Sequence, residues 1–123
     1  VTALVIDDDD DIRLVVNMSL RLIGGLEVVE ASSGKEGVDL AMRIRPDIIM
    51  LDVMMPGMDG PTVLHQLYNN PVTNGIPVVF LTAKAMAVDI GRLKDLGAVA
   101  VLTKPFDPVQ LAADVQALLP ASG

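Results

Sequence analysis

Ala3–Leu14 reads ALVIDDDDDIRL: four apolar residues, five consecutive carboxylates at Asp7–Asp11, then a return to apolar spacing from Ile12. An unbroken apolar run this short suits a strand buried on both faces of a sheet. Beyond the acids the period changes, because Ile12, Val16, Leu20 and Ile23 recur at helical spacing and define one helix face. The stretch is therefore strand, acidic turn, helix. The turn poses an electrostatic problem, since at roughly 4 Å and an effective dielectric near 20 each like-charged pair costs about 4 kcal/mol. A fold that gathers these acids needs a cation or a turn that splays them. Asp9, Asp10 and Asp11 can start the helix, where its N-terminal dipole favours them. Asp7 and Asp8 remain to be explained.

The same alternation continues along the chain. Four further apolar runs follow, LEVVE (26–30), DIIML (47–51), PVVFL (77–81) and AVAVL (98–102), each succeeded by a segment of helical period. The second helix carries Val38, Ala41 and Met42 on its inner face and opens through ASSGKEG, where Ser32 or Ser33 can cap it. The third carries Val63, Leu64 and Leu67, with Pro61 near its start. A fourth, from about Ala85 to Leu96, ends at Gly97, suited to a left-handed cap. The fifth carries Leu111, Val115 and Leu118, capped by Asp107 with Pro108 just inside. Five strand–helix repeats predict an α/β fold, a five-stranded parallel sheet doubly wound by helices on both faces. Ligands of such sheets bind at the carboxyl ends of the strands, where the winding reverses. Asp7 and Asp8, Asp52, Thr82 and Lys104 all fall there, directly after or at the end of a strand.

Composition narrows the chemistry. The 123 residues carry 16 acids against 9 Lys and Arg, a net charge of −7, with no basic cluster. Direct binding to nucleic acid or to an anionic membrane is therefore not expected, and protein partners are. No apolar run is long enough to span a bilayer, and an export signal is not expected. Cysteine is absent, which permits a reducing compartment, and the cytoplasm is the expected location. His65 is the single histidine and sits at a helical position read as solvent-facing. Zinc sites and Ser-His or Cys-His catalysis have almost no material here. Carboxylates, hydroxyls and lysine must do the work.

Taken together and in order, VIDDD (5–9), IIMLDVMMPGMDG (48–60), VVFLTAKA (78–85) and LTKPF (102–106) resemble the receiver domain of bacterial response regulators. The match runs from Thr2 to Leu119, so residues 1–119 are expected to form the receiver and 120–123 a tail or linker stub. The resemblance implies a flavodoxin-like (βα)5 fold with strand order 2-1-3-4-5. It implies phosphorylation of Asp52 by a histidine kinase or a histidine phosphotransfer protein, with Mg²⁺ as cofactor. Asp8 and Asp52 would ligate the metal, Asp7 mostly through water, and the backbone carbonyl of Met54 would complete the set. Lys104 would hold one phosphoryl oxygen and Thr82 another, switching the surface of the fourth helix, fifth strand and fifth helix toward a downstream protein or effector domain. The Lys104–Pro105 bond is often cis in this family. Met54 and Lys84 occupy the two rim positions that tune phosphate lifetime, and an apolar Met54 is expected to lengthen it. A homodimer through the switched surface is compatible with this picture.

One departure and several alternatives bear on that reading. Val101 stands where receivers usually carry a switching aromatic, so the output is expected to rely on loop and backbone movement. A pseudo-receiver, a binding module without phosphorylation, would lack an acid, the hydroxyl or the lysine. A flavodoxin-type binder would need a hydroxyl- and glycine-rich phosphate loop where Asp7 and Asp8 stand. A haloacid dehalogenase-type phosphatase would need a second Asp two places after its nucleophile, where Asp52 is followed by Val53 and Met54. The expected activity is self-phosphorylation and slow self-hydrolysis, without an external substrate. Asp59 is read as a cap or turn residue, and the methionines of VMMPGM as packing beneath the site.

Overall fold

A computed structural model describes residues 1–83 and 86–119. Lys84, the expected start of the fourth helix at Ala85, and the tail at 120–123 lie outside the described residues. The strands are β1 (Thr2–Ile6), β2 (Glu27–Ala31), β3 (Ile48–Asp52), β4 (Val78–Thr82) and β5 (Ala100–Thr103). They alternate with α1 (Asp10–Met18), α2 (Gly34–Ile44), α3 (Gly60–Tyr68), α4 (Ala87–Asp95) and α5 (Pro108–Leu118). All neighbouring strands pair in parallel, in the order β2-β1-β3-β4-β5, as expected for this doubly wound class.

The two-residue period of the strands sorts their side chains into two cores. Leu4, Ile6, Ile49, Leu51, Val78 and Phe80 meet Ala41 of α2, Val63, Leu64 and Leu67 of α3, and Leu93 of α4. Ala3, Val5, Ile48, Met50, Val79 and Leu81 meet Val16 of α1 with Leu111 and Val115 of α5. Burial on both faces holds for β3 and β4 throughout and for β1 after its first residue; β2 and β5 are sheet edges and only partly buried.

Helix starts follow the polar signals. Asp9 caps α1 by accepting from Asp11 and Ile12 amides, with Asp10 and Asp11 in the first turn. Ser33 accepts from the Glu36 amide, and the Glu36 carboxylate accepts from the Ser32 amide, a reciprocal cap. Asp59 caps α3 and Asp107 caps α5. Gly97 closes α4 with a left-handed φ of 115°.

Two expected core residues are not in the core. The helix begun by α1 widens into a π turn over Ser19–Ile23, with the Gly24 amide donating to the Ser19 carbonyl. The wider turn carries Ile23 off the inner face to 50% exposure, and Leu26 is buried instead. In α2 the inner face runs Gly34, Gly37 and Ala41, and Met42 is 41% exposed. The reason is proximity: a Cβ at Gly37 would lie 2.7 Å from Ile6 Cγ1, so the helix backbone comes closer to β1 than a face of larger residues would allow.

Candidate functional site

Strand register assembles the site. Ile6 is opposite Leu51, which brings Asp7 alongside Asp52, and Thr82 is opposite Thr103, which brings Lys104 to the same rim. Backbone bonds carry the ladder past the strand ends, from Asp7 N to Ala31 O at 3.1 Å, Val53 N to Leu81 O at 3.2 Å and Lys104 N to Thr82 O at 2.8 Å. After Asp52 the chain loops out through Gly57 and returns so tightly that a Cβ at Gly60 would lie 2.9 Å from Val53 Cα. The Gly60 amide donates to the Val53 carbonyl at 2.9 Å, closing that loop beneath the site.

The expected residues converge. Asp7, Asp8, Asp52, Thr82, Ala83 and Lys104 share one cavity of about 240 Å³, which Met54 also lines. Asp7 is fully buried, Asp52 is 5% exposed and Thr82 4% exposed, whereas Asp8 is exposed. Lys104 Nζ donates to Asp7 Oδ2 and to Asp52 Oδ1, both at 3.1 Å. The Lys104–Pro105 peptide is cis. Met55 is buried and Met58 packs on the core, but Met54 is 69% exposed and does not pack underneath.

The charges do not balance within the protein. Burial, then the neighbouring Asp7 charge, pushes the Asp52 carboxyl up from its ordinary 3.8 to about 6, against the pull of Lys104. Burial opposes the Lys104 charge, yet its bonds to Asp7 and Asp52 hold the ammonium above its ordinary value. The ammonium is satisfied twice over while the carboxylates divide it between them. The cluster of Asp7, Asp8 and Asp52 sets three carboxylates against one ammonium, and Asp9 at the cavity wall adds to the excess of acid. Asp7, Asp8 and Asp52 can each offer an oxygen with all three atoms within 4.8 Å of one another. A hard divalent ion fits that donor set, since Mg²⁺ binds oxygens at about 2.1 Å and opposite ligands then stand about 4.2 Å apart.

Sequence reasoning passed over Arg13, taking no account of a cation beneath an acidic turn. Its guanidinium donates to the Asp7 carbonyl at 2.6 Å and to Glu30 Oε1 at 3.1 Å, and pairs with Asp10. The signal available was Arg13 three residues after Asp10, with Glu30 near the end of the adjacent strand.

The response regulator receiver domain family matches residues 3–116. The chain is 43% identical over 116 residues to the DNA-binding dual master transcriptional regulator RpaA of Synechocystis, covering 94% of this chain and 48% of that protein. It is 33% identical over 122 residues to the phosphate regulon transcriptional regulatory protein PhoB of Pseudomonas aeruginosa, covering 99% and 53%. Among solved structures, the chemotaxis protein CheY4 of Vibrio cholerae superposes with a TM-score of 0.88 at 31% identity, covering 96% of this chain and 98% of that one. The chain spans about half the length of the curated relatives RpaA and PhoB. The fold, its strand order and the acidic rim at its switch point place the molecule among the CheY-like signalling domains. Within that class, the chain belongs to the response regulator receiver domain family of two-component systems. Among the described residues no helix is long and apolar enough to cross a membrane.

Proposed function

We propose that Asp52 accepts a phosphoryl group from a phosphohistidine of a histidine kinase or histidine phosphotransfer protein, in a Mg²⁺-dependent reaction. The observation that carries this reading is the convergence of Asp7, Asp8, Asp52, Thr82 and Lys104 on one cavity at the carboxyl edge of the sheet. An Asp52 oxygen attacks phosphorus, the P–N bond breaks, and its electron pair leaves with the imidazole, which takes up a proton. Asp7, Asp8, Asp52 and the Met54 carbonyl would hold the metal, which when bound supplies positive charge to the phosphoryl oxygens.

The remaining groups act on the product. Lys104, which shares its ammonium between Asp7 and Asp52, would turn one bond to a phosphoryl oxygen. Thr82 would donate its hydroxyl to another, a contact that exists only in the phosphorylated state and so biases the conformation. Thr82 also borders a smaller cavity of about 100 Å³ reaching Asp89, Arg92 and Leu93 of α4, which gives its movement a path to the α4–β5–α5 face. Val101 on β5 has no ring to swing, so loop movement around Thr82 carries the change. Met54, exposed over the cavity, would crowd out attacking water and slow loss of the phosphate. A downstream effector of the transcriptional kind for which RpaA and PhoB are named would read the switched face.

Intact-mass measurement after exposure to acetyl phosphate tests the reading. We expect a gain of one phosphoryl group with Mg²⁺, none with EDTA and none in Asp52→Asn. No gain in the wild type, or an equal gain in the variant, would move the chain to the class of phosphorylation-independent binding modules.

A further inference from the structure

Asp7 has every polar atom engaged. Its amide donates to Ala31 O at 3.1 Å, Oδ1 accepts from the Asp9 amide at 2.9 Å, and Oδ2 accepts from Lys104 at 3.1 Å. The fourth atom, its carbonyl oxygen, accepts from Arg13 Nη1 at 2.6 Å. That carbonyl belongs to the peptide unit that carries Asp8, the exposed acid of the cluster. The orientation of this peptide sets where the Asp8 carboxylate stands relative to Asp52.

Arg13 is equipped to fix that orientation. Its side chain is only 13% exposed and projects from the first turns of α1 under the acidic turn. The planar guanidinium is held at two further corners, by Glu30 Oε1 on β2 at 3.1 Å and by Asp10 on α1. Glu30 is itself braced, since its second oxygen accepts from Asn17 Nδ2 at 2.8 Å. A rigid fork tied to a strand and a helix transmits their positions to the Asp7 carbonyl, which a single-point ammonium on a flexible stem cannot do. The two carboxylates offset the guanidinium charge, so what reaches the acidic cavity is geometry rather than field.

We infer that Arg13 is a positioning residue of the divalent-cation site, locking the Asp7–Asp8 peptide so that Asp8 faces Asp52. The inference rests on the reading that Asp7, Asp8 and Asp52 hold Mg²⁺. Groups that orient metal ligands from behind typically matter by about 10–100-fold in metal affinity. Arg13 donates to the carbonyl of the peptide that leads into Asp8.

Isothermal titration of the metal-free chain with MgCl₂ decides it, using wild type, Arg13→Ala, Arg13→Lys and Arg43→Ala, each shown folded by circular dichroism. Arg43 is the control, because it removes the same charge from the exposed last turn of α2, which packs on the opposite face of the sheet from α1. We expect both Arg13 variants to bind Mg²⁺ about tenfold more weakly, and Arg43→Ala to stay within twofold of wild type. The Asp8 amide resonance should shift in the metal-free Arg13 variants and not in Arg43→Ala. If Arg13→Ala does not fold, Arg13→Lys carries the comparison. Wild-type affinity in both Arg13 variants, or equal weakening in Arg43→Ala, overturns the inference and leaves phosphorylation of Asp52 standing. Absence of Mg²⁺ binding by the wild type overturns the metal site itself and this inference with it.

Discussion

Asp52 is the residue at which folding and the proposed chemistry pull in opposite directions. Its carboxyl is nearly buried beside Asp7, and it titrates near 6 instead of 3.8. Between about pH 4 and 6 the native chain therefore keeps a proton that the unfolded chain has released. The stability this group contributes is full below the unfolded value and is lost as pH rises through 6. At neutral pH the metal-free protein folds against an unfavourable buried charge. Asp52→Asn should accordingly stabilise the metal-free chain at pH 7.5 by roughly 1–3 kcal/mol, discounted for the lost Lys104 bond. Urea unfolding in EDTA at several pH values measures this, and the advantage should shrink to nothing by pH 4. A variant no more stable than wild type at pH 7.5 would mean that Lys104 already offsets the burial.

At the scale of elements, the β3–α3 connection is what aims Asp52. Gly60 is the first residue of α3, and its lack of a side chain lets the helix start against the end of β3. Gly60→Ala should cost about 1–3 kcal/mol, the usual range for overpacking, and displace the Asp52 backbone. Thermal unfolding together with the Asp52 amide shift would check it; loss of stability with an unmoved Asp52 resonance would confine the role of Gly60 to packing. The same loop shows what could be read from sequence. Asp52, Thr82 and Lys104 were legible because parallel register turns three strand ends into one rim, and Asp59 and Asp9 because caps are local chemistry. Ile23 and Met42 were misread because helical periodicity assumes an unbroken α-helix and an ordinary packing distance. A π turn broke the first assumption and the Gly37–Ile6 approach the second. Arg13 was passed over for another reason: only its Asp10 partner is local, and tertiary structure is needed to bring the carbonyl of the turn after β1 and a β2 carboxylate to the same helix side chain.

For the whole molecule, an excess of acid over base is concentrated at one point by the topology. The net charge is −7, and the sheet gathers Asp7, Asp8 and Asp52 at its switch point. A ligand that binds the native state and not the unfolded chain stabilises by mass action, about 2.7 kcal/mol at one hundred times its Kd. Mg²⁺ should therefore raise the unfolding temperature by several degrees at pH 7.5, beyond any effect of NaCl at matched ionic strength, which only screens. The increment should fall as pH drops through 6, because Asp52 must then release a proton before it can serve as a ligand. It should also be lost in Asp8→Asn, which leaves two carboxylates in place but removes the exposed one that completes the cluster. Differential scanning fluorimetry at pH 7.5 and pH 5 separates the alternatives. A Mg²⁺ increment that NaCl reproduces, or one equally large at pH 5, would show that the excess charge is merely screened over the surface and not met by an ion at the switch point.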